Sequence, residues 1–143
     1  MLPQSLIFLD LETTGMAAAQ ERITEIGLVE VAEGEFVGSW SQLVNPQKSI
    51  PPFIQSLTGI SNRMVRDAPR FEQLAPDLFE RLAGKLLIAH NARFDYGFLK
   101  AEFARLGMAY HSRVLCTAKL SRRLFPEHRR HNLDSLIERH GLG

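Results

Sequence analysis

The sequence predicts an α/β fold, a mixed five-stranded sheet flanked by helices, and three observations carry that reading. The apolar runs Leu6-Ile7-Phe8-Leu9 and Leu86-Leu87-Ile88-Ala89 are short and continuous, as buried strands are. Apolar residues recur at helical spacing at Phe71, Leu74, Leu78, Phe79 and Leu82, and again at Phe98, Leu99 and Phe103. Between the first strand and the first of these helices, two further strand-like segments meet at Glu33-Gly34-Glu35, a hairpin-like connection.

In chain order, strands are expected at 6–11, 24–31 and 36–44, forming an antiparallel meander. Pro46, Pro51 and Pro52 then break the chain into an irregular stretch, and Ser61 is a candidate N-cap for a short helix through Val65. The periodic segment 71–83 reads as a helix stopped by Gly84. Pro76 falls within it, and because proline is tolerated in a first turn we expect it to open the main part of that helix. Strand 86–89 follows, then a helix over 94–106 ended by Gly107, with Phe98, Leu99 and Phe103 on its inner face. The fifth strand is expected at 114–116. A helix through Leu124, a stop at Pro126 and a last helix opened by Asn132 complete the order.

With 143 residues, 45% of them hydrophobic, the chain has the size of one domain, and no internal repeat, linker or low-complexity tract suggests a second. No apolar run approaches the roughly 18 residues of a membrane span, and the N-terminus lacks the basic start and cleavage region of a signal peptide. We therefore expect a cytoplasmic protein with no membrane partner. The single cysteine, Cys116, lies in Val114-Leu115-Cys116 and reads as a small core residue, neither nucleophile nor disulfide partner. Charge is uneven along the chain. Residues 1–50 hold two Lys/Arg against seven Asp/Glu, whereas 113–143 hold seven against three.

The chemistry concentrates at the end of the first strand. Side chains alternate faces along a strand, so Asp10 and Glu12 point the same way where the apolar run stops. Two carboxylates at the end of a core strand need a compensating cation, and oxygen-only donors favour Mg²⁺ or Mn²⁺ over zinc. Thr13-Thr14-Gly15 adds two hydroxyls and a flexible turn suited to gripping a phosphate or sugar. A third carboxylate, Asp95, stands where strand 86–89 gives way through His90-Asn91 to a helix. Sites in open α/β sheets form at the strand ends, so Asp95 can reach the Asp10/Glu12 pair if the two strands are neighbours. Three acidic ligands on two adjacent elements make a two-metal site for phosphodiester cleavage plausible.

These residues carry a resemblance. Asp10-x-Glu12-Thr13-Thr14-Gly15 followed by Asn91-x-x-Phe94-Asp95 resembles the first and second motifs of the DEDD-superfamily 3′-to-5′ exonucleases, in the DEDDh branch that includes the proofreading epsilon subunit of bacterial replicative DNA polymerase, RNase T and oligoribonuclease. Ile23-Thr24-Glu25-Ile26-Gly27, Leu57-Thr58-Gly59-Ile60-Ser61 and His131-Asn132-Leu133-Asp134-Ser135-Leu136 support it. The resemblance implies an RNase H-like sheet, two ions of Mg²⁺ or Mn²⁺, and Asp10, Glu12 and Asp95 as both catalytic residues and metal ligands. It places Thr13, Thr14, Gly15 and Met16 around the 3′-terminal nucleotide, with Asn91 and Phe94 of the second motif beside them. Phe94 also reads as packing behind Asp95. His90 either contacts substrate or caps the strand end, and Glu25 either supports the metals or pairs with Arg22 or Arg93. The implied reaction is metal-dependent release of nucleoside 5′-monophosphates from the 3′ end of a nucleic-acid single strand, DNA favoured over RNA, in proofreading or repair; a proofreading role would bring a DNA polymerase catalytic subunit as partner. An RNA-trimming exoribonuclease and a non-catalytic end-binding module are the alternatives.

The family's third motif is a His followed five residues later by an Asp. Here Leu133 stands five after His128 and Leu136 five after His131. We expect a single exonuclease domain, residues 1–143, cut before that motif and its C-terminal helix, and inactive in this form. Arg122, Arg123, Arg129 and Arg130 are candidates for the nucleic-acid backbone, set against the plainer reading of a solvated helix face.

Overall fold

The computed structural model describes residues 5–117. Strands β1 (Ser5–Thr13), β2 (Ile23–Ala32) and β3 (Glu35–Leu43) lead to helices α1 (Pro52–Thr58), α2 (Asn62–Val65) and α3 (Phe71–Leu82); β4 (Leu86–Ala89), α4 (Ala92–Arg105) and β5 (Val114–Cys116) follow. The sheet order is β3-β2-β1-β4-β5. The first three strands form the expected antiparallel meander, and β4 and β5 extend it in parallel. Glu33 and Gly34 turn the β2–β3 hairpin, both at positive φ (55° and 79°) as in a type I′ turn, which glycine adopts without strain.

Alternation along β1 divides its two faces. Ile7, Leu9 and Leu11 are buried, while Phe8 and Asp10 are exposed and Glu12 half-buried. The buried row meets Ile26 and Leu28 of β2 and Leu87 of β4, and α3 and α4 cover it with Phe71, Leu78, Leu82, Phe98, Leu99 and Phe103. Phe103 centres an aromatic cluster, with Phe71, Phe79 and Tyr110 rings at 5.1, 5.3 and 5.3 Å. Edge contacts of this kind add about 0.5–1.5 kcal/mol each beyond area burial.

Two expectations are corrected. Residues 52–58 are helical, not irregular: Pro52 sits in the first turn of α1, where its missing N–H has no intrahelical partner to lose. Read as a breaker, that proline concealed a helix start. Pro76 lies inside α3, which begins at Phe71, so the helix runs through the proline and forgoes one backbone bond there. Burial of Phe71, Ala75, Leu78 and Leu82 on one face outweighs that loss. Ser61 caps α2 as expected, its Oγ accepting the Met64 N–H at 3.2 Å. The helices expected at residues 118–143, with Arg122, Arg123, Arg129 and Arg130, lie outside the described residues.

Candidate active site

Because β1, β4 and β5 run parallel, their carboxyl ends open at one end of the sheet. β4 pairs with β1 only as far as Phe8↔Ile88, so the last residues of β1 run past it. The chain leaves β4 through His90 and Asn91 into α4, whose first turn carries Asp95. There the Asp95 carboxylate accepts the Leu11 backbone N–H, which fastens α4 to the segment of β1 between Asp10 and Glu12.

The electrostatics show how close these groups stand. Asp95 is 5% exposed, and its carboxyl is pushed up from 3.8 to about 7, first by burial and then by the Asp10 charge. Hydrogen bonds from the Leu11 and Asp95 N–H groups pull the other way without cancelling this, and Glu12 adds to the rise. The Glu12 carboxyl is raised too, by burial and then by Asp10 and Glu25, its cross-strand partner in the register. Among the carboxyls of Asp10, Glu12 and Asp95, the Asp10 charge thus raises the pKa of the other two where the core ends. Their side chains do not close on one point: among the described residues no three His, Cys, Asp or Glu side chains stand in ligand-ready geometry. The chemistry of the donor set nonetheless fits a hard divalent cation, since three carboxyl groups offer only oxygen and a bound cation would relieve the repulsion that lifts Asp95 and Glu12.

The loop after β1 is built differently from the pocket wall expected of it. Thr14 is fully buried, its hydroxyl donating to Glu21 at 2.8 Å and accepting the Arg22 N–H at 3.0 Å, while its own N–H donates to the Arg22 carbonyl at 2.9 Å. Its polar groups therefore hold the loop closed instead of facing a ligand. Thr13 is also buried and donates to the Gly15 carbonyl at 2.6 Å. A Cβ on Gly15 would come within 2.9 Å of the Glu21 side chain, which would have to move away from Thr14 and Lys48 to admit it. Met16 alone of the four projects fully, at 77% exposure.

Around the second motif, Asn91 is exposed at the N-cap of α4 and Phe94 is half-buried, its ring 4.8 Å from that of Phe98. The packing role of Phe94 therefore holds. His90 Nδ1 meets Thr117 Oγ1 at 3.1 Å and its carbonyl accepts from Cys116 Sγ at 3.3 Å, tying the ends of β4 and β5 together. His90 also lines, with Asp10, a groove of about 540 Å³ whose other walls include Phe8, Val29, Trp40 and Ile88. Cys116 is half-buried, short of the core position expected. Arg22 does not pair with Glu25; its guanidinium is taken by Glu102 at 2.9 Å.

Glu102 was not singled out by the sequence reading. It is 1% exposed and accepts from Arg22, Arg105 and the Ile23 N–H. A signal was present: Asp95 and Glu102 are seven residues apart on α4, two turns on one face, and that face otherwise carries Phe98, Leu99 and Phe103.

Comparison with known proteins decides the family. The family model described as RNase_T, Exonuclease, matches residues 7–143. The chain belongs to this exonuclease family. As an RNase T-type exonuclease domain it is 39% identical over 137 residues to a PolC-type DNA polymerase III of Caldanaerobacter subterraneus subsp. tengcongensis, covering 96% of this chain and 10% of that protein. It is 39% identical over 140 residues to the 3′-5′ exonuclease DinG of Bacillus subtilis, covering 96% of this chain and 15% of that protein. The chain thus spans a small part of the curated relatives it matches. Exonuclease X, solved in complex with 5′ overhanging duplex DNA, superposes with a TM-score of 0.75 at 31% identity, over 96% of this chain and 74% of that one. The RNase H-like sheet is the fold of this family. Among the described residues no helix is long and apolar enough to cross a membrane.

Proposed function

We propose that this domain is a divalent-metal-dependent 3′-to-5′ exonuclease acting on single-stranded DNA ends. The observation that carries the proposal is Asp95, buried on α4, fastened to the Leu11 N–H and lifted to about 7 beside Asp10 and Glu12. Asp10, Glu12 and Asp95 would hold the metal, Mg²⁺ or Mn²⁺ by their oxygen-only donors. Bound cations supply positive charge to the attacking and leaving oxygens of phosphodiester hydrolysis. Asp10, exposed at the strand end, would act on the phosphate only through the cation it helps to hold, and Asp95 would hold that cation in its ionised form. Thr13 and Thr14 shape the loop through their internal bonds, so the terminal base rests on the exposed Met16 side chain instead of on their hydroxyls.

DNA is favoured by the names of the relatives, 3′-5′ exonuclease DinG and a PolC-type polymerase, and by the DNA complex of exonuclease X. The PolC-type relative also supports a polymerase as physical partner. Arg122, Arg123, Arg129 and Arg130 would neutralise phosphates upstream of the cleaved end, so binding should weaken as salt rises.

The test is release of a 3′-terminal label from matched DNA and RNA strands by the metal-loaded domain, extended to carry the third motif without which it is expected to be inactive, alongside calorimetric Mn²⁺ titration. Asp10→Ala should abolish release and weaken Mn²⁺ binding while leaving the circular dichroism spectrum unchanged. Near-normal release from Asp10→Ala would overturn the site, and faster release from RNA than from DNA would replace the substrate.

A further inference from the structure

We propose that Glu102 is a positioning residue for the loop of residues 14–22, tying the loop that receives the 3′-terminal nucleotide to the helix that carries Asp95. The inference rests on the exonuclease reading above for what the loop receives, though not for how the loop is held.

A carboxylate 1% exposed in a helix face of phenylalanine and leucine is expensive to desolvate and persists only where it is fully bonded. Glu102 is bonded on every side. Arg22 Nε donates to both of its oxygens, at 2.9 and 3.0 Å, and Arg22 Nη2 to Oε1 at 2.9 Å. The Ile23 N–H donates to Oε2 at 3.1 Å, and Arg105 Nη1 to Oε1 at 3.1 Å. Arg22 and Ile23 are where the loop ends and β2 begins. At that point the Arg22 backbone exchanges bonds with Thr14, the residue that opens the loop after Glu12 and Thr13. A continuous chain of bonds therefore runs from α4 through Glu102 and Arg22 to Thr14.

Arg105 closes the far side. While Nη1 holds Glu102, Nη2 donates to the carbonyls of Ala18, Ala19 and Glu21 at 2.9, 3.3 and 3.4 Å. The loop residues between Gly15 and Gln20 have few apolar anchors of their own, and Met16, Ala17, Ala19 and Gln20 are exposed. Their placement depends on these polar bonds. One helix thus fixes both halves of the site: Asp95 against β1 by the Leu11 N–H, and the loop by Glu102 two turns later. Loosening the loop should weaken capture of the terminal nucleotide more than it slows hydrolysis, because the three site carboxylates lie on β1 and α4 and not on the loop.

The experiment compares wild type, Glu102→Gln, Arg105→Met and Ile7→Val in the metal-loaded full-length protein, well below their melting temperatures. Glu102→Gln keeps the shape and removes the charge. Arg105→Met alters a partly exposed side chain and folds even if Glu102→Gln does not. Ile7→Val is a core change at the opposite end of β1 and reports mere destabilisation. Two readouts are taken: KM and kcat for a short DNA strand, and amide hydrogen exchange of peptides covering residues 14–22. We expect Glu102→Gln to raise KM about tenfold or more with kcat within about threefold, and to speed exchange in the loop about tenfold. Arg105→Met should do the same to a lesser degree, and Ile7→Val should do neither. Exchange in the loop unchanged by both Glu102→Gln and Arg105→Met overturns the inference, as does a KM no higher than that of Ile7→Val in a protein that does turn over. Faster loop exchange in Glu102→Gln and Arg105→Met beside a wild type that releases no nucleotide would remove the exonuclease reading and leave the positioning of the loop standing.

Discussion

Asp95→Asn should stabilise the metal-free protein at alkaline pH while abolishing nucleotide release. The asparagine keeps the size of the side chain and an oxygen to accept the Leu11 N–H, and removes the charge that burial, Asp10 and Glu12 disfavour. In the unfolded chain the carboxyl titrates near 3.8; in the fold it titrates near 7. Below the lower value both states are protonated and nothing is lost. As pH rises toward and through 7 the folded state must ionise a group it resists, so wild-type stability declines across that window. At 1.36 kcal/mol per pH unit the full effect at pH 8 is about 4 kcal/mol, and the decline between pH 5 and pH 8 is about 2–3 kcal/mol. For a domain of this size about 4 °C accompanies each kcal/mol, so Asp95→Asn should melt about 15 °C above wild type at pH 8 in EDTA and about 6 °C above it at pH 5. Saturating Mn²⁺ should narrow the gap at pH 8, because the ion binds the folded wild type and not the variant. The assay is differential scanning calorimetry at both pH values with and without metal. An Asp95→Asn protein that melts at or below wild type at pH 8 in EDTA would refute the account of the buried carboxylate.

Glu12→Gln should abolish metal-dependent release with the fold retained, read by labelled-strand degradation beside circular dichroism; substantial release would remove Glu12 from the metal site. Gly15→Ala should drive the Glu21 side chain from Thr14 and Lys48, which hold it at 2.8 and 2.7 Å, and lower stability by about 1–2 kcal/mol in urea unfolding, more than Lys48→Ala, which breaks an exposed ion pair and an exposed bond to the Gln20 carbonyl. Phe103→Ala leaves a cavity among Phe71, Phe79 and Tyr110 and should lower stability by about 3–5 kcal/mol by the same measurement.

Period and punctuation made most of the fold legible. The apolar runs located β1 and β4, the Glu-Gly turn located the hairpin, and the spacing of Phe98, Leu99 and Phe103 gave the inner face of α4. The prolines misled because their effect depends on position. Pro52 opens α1 where no backbone bond is at stake, whereas Pro76 is carried inside α3 by the burial around it, and neither context can be read from one residue and its neighbours. Asp10, Glu12 and Asp95 stood out as a candidate site because charged residues interrupt strand ends in a way packing does not call for. The loop was less so. A threonine that lines a pocket and one that locks a turn look the same in sequence, and only the partners of Thr14, at Glu21 and Arg22, tell them apart.

Those partners change how the first motif is understood. In Asp-x-Glu-Thr-Thr-Gly the carboxylates occupy the open face of β1, and the residues that follow serve mainly to turn the chain back into β2. Thr13 bonds Gly15, Thr14 bonds across the loop to Arg22, and Gly15 makes room for the Glu21 side chain that Thr14 also holds. Each is committed to the backbone or to a loop neighbour, and Met16 projects from the loop. On the proposed exonuclease reading, substrate contact and loop architecture are separable in this motif. Replacing Met16 with alanine should weaken binding of a DNA 3′ end without moving the melting temperature by more than about 2 °C, since a side chain 77% exposed contributes little to the core. Replacing Thr14 with valine keeps the volume and strands the Arg22 N–H and Glu21, so it should lower the melting temperature by about 4–8 °C whether or not DNA is present. Melting curves of the two variants paired with fluorescence anisotropy on a labelled strand separate the effects. A Met16→Ala protein that binds as tightly as wild type would return the terminal base to the threonines, against the buried geometry found for both.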